Sequence, residues 1–361
     1  MIKHAYIHIP FCYKICNYCD FCKMLYYEKW VDDYLKALEQ EVDANYQNDV
    51  LNTIYIGGGT PSCLTIKQLR KLLKIIEKFK TSSNLEFTFE CNLDDLTEEK
   101  LKLLKDNQVN RISVGIQTFN PKHQQLINRH LNYHEAKEKI NLIKKYFTNI
   151  NVDLMYGFKD QTLEELEIDL KQFMTLDISH ISTYSLMIEP HTKLYIDNLE
   201  TIDEELDYQM FKLINRILIA NNFEHYEISN YCLKNKQSNH NLSYWNNENY
   251  YGFGLGASGY IDNIRYDNTR NLNKYLKGNY CYAKEFLNEK KTIENEMILG
   301  LRKTKGINEQ EFIQKYGKKI EDVFDINKLI EEKKLIKSNH YLFINYDYLY
   351  VSNDILINFI E

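Results

Sequence analysis

Residues 5–22 read AYIHIPFCYKICNYCDFC, and this stretch frames the fold. Ala5 to Ile9 is a short apolar run of strand type that passes directly into a loop. The loop carries Cys12, Cys16 and Cys19, with Cys22 three residues further on. A strand ending in such a loop can wrap three thiolates around one inorganic centre, and soft sulfur ligands suit iron-sulfur clusters and zinc alike. The spacing leaves three outcomes open: a cluster with one iron left uncovered, four-cysteine ligation of zinc or a cluster through Cys22, or thiols that bind nothing.

Strand-like runs of the same type recur at 53–57, 85–91, 111–116, 150–155 and 180–186. Between them, Trp30, Tyr34, Leu38 and Val42 fall at helical spacing, as do Leu69, Leu72, Leu73 and Ile76, and again Leu163, Leu166, Leu170 and Phe173. Each set predicts an amphipathic helix with one buried face. Strands alternating with helices at intervals of roughly thirty residues describe successive βα units with parallel strands. A closed barrel needs eight units, but the alternation fades beyond Ile188. The expected fold is therefore α/β, an open six-stranded (βα)6 partial TIM barrel with its chemistry at the carboxyl ends of the strands. A long helix over 204–221 follows, then a polar stretch at 229–249 and a glycine cluster at Gly252, Gly254, Gly256 and Gly259. From about 294, helical patterns near 296–302, 309–316 and 325–332 and a hairpin-like 341–351 predict a small C-terminal winged-helix-like domain. The expected division is 1–200, 201–293 and 294–361.

Composition limits the function. The chain has 361 residues, 44% hydrophobic and 27% charged, as in soluble globular proteins. We find no run of 18 apolar residues, so no integral membrane segment is expected. The amino terminus MIKHAYIHIPF enters a strand without the segments of a secretory signal, which predicts a cytoplasmic protein. Lys and Arg number 45 against 51 Asp and Glu, a net charge of -6 that argues against a nucleic-acid partner. Eight cysteines are too few for a disulfide scaffold in a chain this long, and four of them cluster at 12–22, which suggests metal.

A second motif, Gly57-Gly58-Gly59-Thr60-Pro61, directly follows a strand. Adjacent glycines let backbone approach a ligand closely, and exposed N–H groups there can receive a carboxylate. No Gly-Lys-Ser or Gly-Lys-Thr follows, so it is not a phosphate-binding P-loop. Glu90 and Asn92 end the third strand, Gln117 the fourth, Asp153 lies in the fifth, and Arg129 follows the loop after the fourth. Each alone serves a structural salt bridge or a ligand equally well; together at one rim they point to a shared ligand.

The three-cysteine pattern with an aromatic before the last cysteine resembles the signature of radical S-adenosylmethionine (SAM) enzymes. The longer run from Tyr6 to Cys12, with Tyr18-Cys19-Asp20-Phe21, is similar to the haem chaperone branch of the oxygen-independent coproporphyrinogen III oxidase family. The resemblance implies that Cys12, Cys16 and Cys19 bind three irons of a 4Fe-4S cluster, that SAM chelates the fourth, and that Cys22 stands by. It further implies that Tyr6, Phe21, Gly58, Gly59, Thr60, Glu90, Gln117, Arg129 and Asp153 belong to the cofactor site. The strings 111–119 and 151–157, with Gln161 and Thr162, extend the likeness through most of 4–165. It continues through Tyr184, 188–190, 226–231 and the His240-Asn-Leu-Ser-Tyr-Trp245 string, where it implies His240 as a haem ligand, with Trp245 as ligand-side or packing aromatic.

Two departures bear on activity. The oxidases of this family have Cys-x-Cys at the end of the cluster motif, whereas Phe21 stands at the second position, which points to the chaperone branch. In the glycine-rich string at 252–260, Ser258 replaces the family's histidine, so porphyrin-side contacts are expected to differ. The leading expectation is a haem chaperone that binds cluster, SAM and haem for delivery to an acceptor haemoprotein, with an electron donor wherever the cluster is reduced. The alternatives are a coproporphyrinogen III oxidase, against which Phe21 argues, and a non-catalytic zinc protein completed by Cys22.

Overall fold

The computed structural model describes residues 1–360. The six expected strands are all present: β1 His4–Ile9, β2 Val50–Gly58, β3 Lys80–Cys91, β4 Arg111–Gln117, β5 Ile150–Tyr156 and β6 His180–Ser185. They lie side by side in chain order, every neighbouring pair parallel. The helices that return the chain are α1 Glu28–Asn45, α2 Ile66–Ile76, α3 Glu98–Asp106, α4 Tyr133–Lys144 and α5 Leu163–Met174, with α6 Glu204–Ala220 after β6. The result is a mixed α/β fold with a large multi-stranded sheet, consistent with the expected partial barrel.

The alternation within a strand decides what faces what. In β4, Ile112, Val114 and Ile116 are fully buried against the helices, while Arg111, Ser113, Gly115 and Gln117 all face one interior cavity. Helix starts follow local chemistry: Thr65 and Thr162 each close a capping box with the Gln68 and Glu165 side chains, and Thr97 caps α3. On α1 the buried face is Val31, Tyr34, Leu35, Leu38 and Val42. Trp30, expected on that face, is 45% exposed and packs on Tyr27 instead. A strict four-residue stripe drifts round a helix of 3.6 residues per turn, and Trp30 is the end that drifts off.

Beyond β6 the sheet grows further than expected. The polar stretch and glycine cluster hold β7 Glu224–Glu227, β8 Asn230–Cys232, β9 Tyr250–Phe253, β10 Ser258–Ile261 and β11 Ile264–Asn268, followed by β12 Cys281–Phe286. The twelve-stranded order is β12-β11-β10-β9-β1-β2-β3-β4-β5-β6-β8-β7. β9 pairs parallel with β1, so seven parallel strands run together, and antiparallel strands flank both sides. Helix α7 Asn239–Trp245 sits between β8 and β9 in sequence.

The tail forms its own core from Ile293, Met297, Leu301, Phe312, Leu335 and Leu342, joined by Phe211 of α6. Its helices run Glu289–Gly300, Glu309–Tyr316 and Asn327–Glu331, and its three-stranded sheet orders Ile307–Asn308, Tyr341–Ile344 and Leu335–Ser338. The hairpin therefore lies earlier than 341–351. Its turn is Asn339-His340, both at positive φ (52° and 66°), the backbone that suits a two-residue hairpin loop. Among the described residues, no helix is long and apolar enough to cross a membrane.

Candidate functional site

Pro10 follows β1, and the cysteine loop leaves the sheet there. The loop is pinned along its length: Met24 N–H donates to Pro10 O (2.7 Å), Tyr26 N–H to Cys12 O (2.8 Å), and Asn17 N–H to Ile127 O (3.2 Å). Asn17 Nδ2 also reaches Leu126 O, and Asn128 Nδ2 reaches Ile15 O. These bonds hold Cys12, Cys16 and Cys19, all free, on the wall of one cavity of about 440 Å³ at the carboxyl ends of the strands. The Thr60 hydroxyl lies 3.4 Å from Cys12 Sγ and Arg129 Nε 3.3 Å from Cys16 Sγ. Burial pushes the Cys12 thiol up to about 11 against the pull of the Thr60 hydroxyl, and burial also raises Cys19. Three free thiols on one cavity wall, two with donors beside their sulfur, form a donor set that fits a soft cluster.

The same cavity is lined by Phe21, Gly58, Gly59, Thr60, Glu90, Asn92, Gln117, Arg129 and Asp153. Residues from the loop and from β2 to β5 thus meet at one place. Arg129 ties them together, donating to Gly115 O (2.7 Å) and Asn92 Oδ1 (3.1 Å) besides Cys16. Gln117 ends β4 with φ 77°, beside a register shift between Gly115 and Gln117. A non-glycine residue in that region is held at a cost, and such strain gathers at functional sites. Burial raises Glu90 to about 7 although Tyr55 Oη donates to it (2.7 Å) and Gly58 N–H does so at 3.0 Å, with Asp153 adding to the rise. Burial raises Asp153 as well, against hydrogen bonds from Asn151 and Ser182. This wall can lose protons and become anionic when a cationic ligand arrives.

The glycine run does not leave its N–H groups open for a ligand's carboxylate, because the chain itself takes them. Gly58 N–H is taken by Glu90, Gly59 N–H by Ile9 O (2.9 Å) and Thr60 N–H by Phe11 O (2.8 Å). What the glycines supply is room. A Cβ on Gly57 would meet the Glu90 carboxyl at 2.7 Å, one on Gly58 the His8 ring at 2.6 Å, and one on Gly59 the Phe11 carbonyl at 2.9 Å and Cys12 Sγ at 3.0 Å.

Several residues singled out in the sequence stand off the cavity wall. Tyr6 lies behind Tyr55, its ring 6.1 Å away and its hydroxyl on His8 Nδ1 (2.9 Å). Cys22 packs against Gly256, where a Cβ would come 2.5 Å from its own, and its carbonyl accepts from His8 Nε2 (2.7 Å). Ser258 lies on β10 and donates to Asp267. His240 is buried on α7, with Nδ1 2.7 Å from Thr53 Oγ1 and Nε2 2.8 Å from Tyr244 Oη, so both ring nitrogens are occupied. Trp245 ends that helix, and the Arg302 guanidinium lies 5.8 Å from its ring. Conversely, Tyr55, Arg111, Ser113, Asn151 and Ser182 line the cavity without having been singled out as site residues. Polar side chains at alternate positions of otherwise apolar strands were the available signal.

Comparison with known proteins gives this cavity its context. The Radical SAM superfamily model matches residues 6–173 and the HemN C-terminal domain model residues 287–345. The chain is 41% identical over 357 residues to the heme chaperone HemW of Bacillus subtilis (strain 168), covering 94% of this chain and 93% of that one. It is 40% identical over 343 residues to HemW of Lactococcus lactis subsp. lactis, covering 92% and 90%. Coproporphyrinogen III oxidase (HemN) from Escherichia coli, described as a radical SAM enzyme, superimposes with a TM-score of 0.87 over 99% of this chain and 90% of that one. At 20% identity that likeness shows a shared fold alone. The chain belongs to the radical SAM superfamily. Within it, the chain falls in the HemW-like haem-chaperone branch.

Proposed function

We propose that the chain takes up haem and delivers it to an acceptor haemoprotein in the cytoplasm, holding a 4Fe-4S cluster through Cys12, Cys16 and Cys19 and SAM beside it. The observation that carries this reading is the meeting of those three cysteines with Gly58, Gly59, Thr60, Glu90, Gln117, Arg129 and Asp153 on one cavity wall. Phe21, 61% exposed, stands at the mouth, and Tyr6 backs Tyr55. When bound, cluster and cofactor supply one-electron chemistry. The chain's own residues orient and charge the site: Arg129 braces Cys16, Thr60 faces Cys12, and Glu90 and Asp153 offer carboxylates to a cationic group. His240 serves as haem ligand on this reading only by freeing one ring nitrogen, from Thr53 or from Tyr244. The proposal includes an open (βα)6 barrel over 1–200, an extension over 201–293 that completes it, and a winged-helix-like tail over 294–361. An electron donor is a further partner where the cluster is reduced.

The oxidase alternative shares the fold, so the fold does not separate the two; Phe21 does. A four-cysteine zinc site is disfavoured by Cys22, which packs on Gly256 away from the cavity. The test offers coproporphyrinogen III, SAM and reductant to the anaerobic cluster-loaded chain. No protoporphyrinogen IX above cluster-free controls is expected. Product that depends on Cys12, Cys16, Cys19 and SAM would instead make the chain an oxidase.

A further inference from the structure

The cavity has a floor as well as a mouth. Alternate residues of β4 line it from Gln117 at the carboxyl end to Arg111 at the start. Six residues of strand separate these ends by roughly 20 Å. Arg111 is 1% exposed, yet its Nε has no hydrogen-bond partner among the described residues. Nearby acids are engaged elsewhere. Glu86 accepts from the Asn239 and His240 backbone N–H groups and from Asn239 Nδ2. Glu90 holds Tyr55 and Gly58, and Asp153 accepts from Asn151 (2.9 Å). Asn151 is itself committed to Ser113, Asp153, His180 and Ser182.

A buried guanidinium N–H without an acceptor is costly, and structures keep one where something fills the need. Burial raises the Glu90 and Asp153 carboxyls, which weakens both as counter-charges for Arg111. Arginine's planar fork matches the geometry of a carboxylate. We propose that Arg111 anchors a carboxylate-binding subsite at the floor of the cavity, set apart from the residues at its mouth. Its ligand is the carboxylate of an organic molecule that enters from the mouth. Two sources share that chemistry, a propionate of a porphyrin and the carboxylate of an amino-acid cofactor molecule that is not held on the cluster.

The test measures thermal shifts of the full-length chain, wild type, Arg111→Gln and Arg111→Lys, with propionate and with its uncharged isostere propionamide. Propionate alone should raise the melting temperature of the wild type, with the effect lost in Arg111→Gln and partly kept in Arg111→Lys. An equal response of wild type and Arg111→Gln, or a wild type indifferent to propionate, overturns the proposal. Two ligand pairs then identify the source: SAM against its decarboxylated analogue, and haem against haem dimethyl ester. In the pair that uses the subsite, the wild type should prefer the acid by about tenfold or more, and Arg111→Gln should lose that preference. Equal weakening of acid and neutral partner in Arg111→Gln marks a purely structural role and also overturns it. Only these two pairs rest on the haem and SAM reading. A chain that answers propionate through Arg111 but binds neither haem nor SAM contradicts that reading and leaves the subsite standing.

Discussion

Cys22 differs from the other three cysteines of its loop in where its side chain goes. Its carbonyl anchors His8, and its side chain fills the space that Gly256 leaves at φ 74°, so it works as a packing residue between the loop and the glycine-rich segment. Cys12, Cys16 and Cys19 line the cavity instead. Replacing any one of them with serine should abolish most of the iron and sulfide of the anaerobic protein, about four of each per chain, whereas Cys22→Ser should keep it. Iron and sulfide analysis with zinc measured in parallel checks this; equal losses in all four variants would show a four-cysteine site. The cysteines were legible because sulfur in a tight repeat has few other uses in a chain with no disulfide framework. Arg111 and Tyr55 were not, because a single polar residue in a strand gives no sign of which face it takes until its neighbours are in place. His240 was legible as a residue of note, but its bond to Thr53 joins positions 187 residues apart in the chain.

At the scale of elements, the junction of β2 with the glycine run depends on a missing side chain. Gly58 has φ 117° and faces the His8 ring, which Tyr6 and the Cys22 carbonyl hold from both nitrogens. Gly58→Ala should therefore carry a backbone cost of about 1–3 kcal/mol and a further cost for the clash. Gly278→Ala is the control: its φ is 81°, but a Cβ there meets nothing. Urea unfolding should show the larger loss for Gly58→Ala, and equal losses would remove the clash from the account. Strands β1 to β6 were readable because each holds a short apolar run, and helical patterns marked the helices after β1, β2, β5 and β6. β9 was not. It is four residues rich in Tyr and Gly, and it joins the sheet beside β1, more than two hundred residues earlier in the chain. Local periodicity holds no information about that pairing.

At the scale of the whole molecule, the tail meets the rest of the chain through Phe211 of α6 and through polar contacts. Ile228 N–H donates to Arg302 O and Thr304 N–H to Tyr226 O, the Glu227 and Lys303 backbones form an antiparallel β-bridge, and Tyr346 Oη reaches Asn215 on α6. Glu227 is fully buried there, bonded by Asn230 and Ser229, and burial raises it from the ordinary glutamate value to about 7. An acid raised in the fold contributes stability that is complete below its unfolded value and is lost as pH rises through about 7. Wild type should thus lose stability between about pH 4.5 and pH 7 that Glu227→Gln does not lose. Urea midpoints of the pair at pH 5.5 and pH 8 check this, with the variant gaining on the wild type at the higher pH; a constant difference would mean that Glu227 is already ionised in the fold. The family likeness spans both sheet and tail, and the function assigned to the chain rests on that extent together with the cavity. The most direct measurement is an anaerobic haem titration of the cluster-loaded chain, with and without SAM, followed by mixing with an apo-haemoprotein. The account predicts saturable haem binding and passage of the haem to the acceptor, with His240→Ala weakening the binding while iron content and folding stay unchanged. A cluster-loaded chain that neither binds haem nor yields it to the acceptor would contradict it.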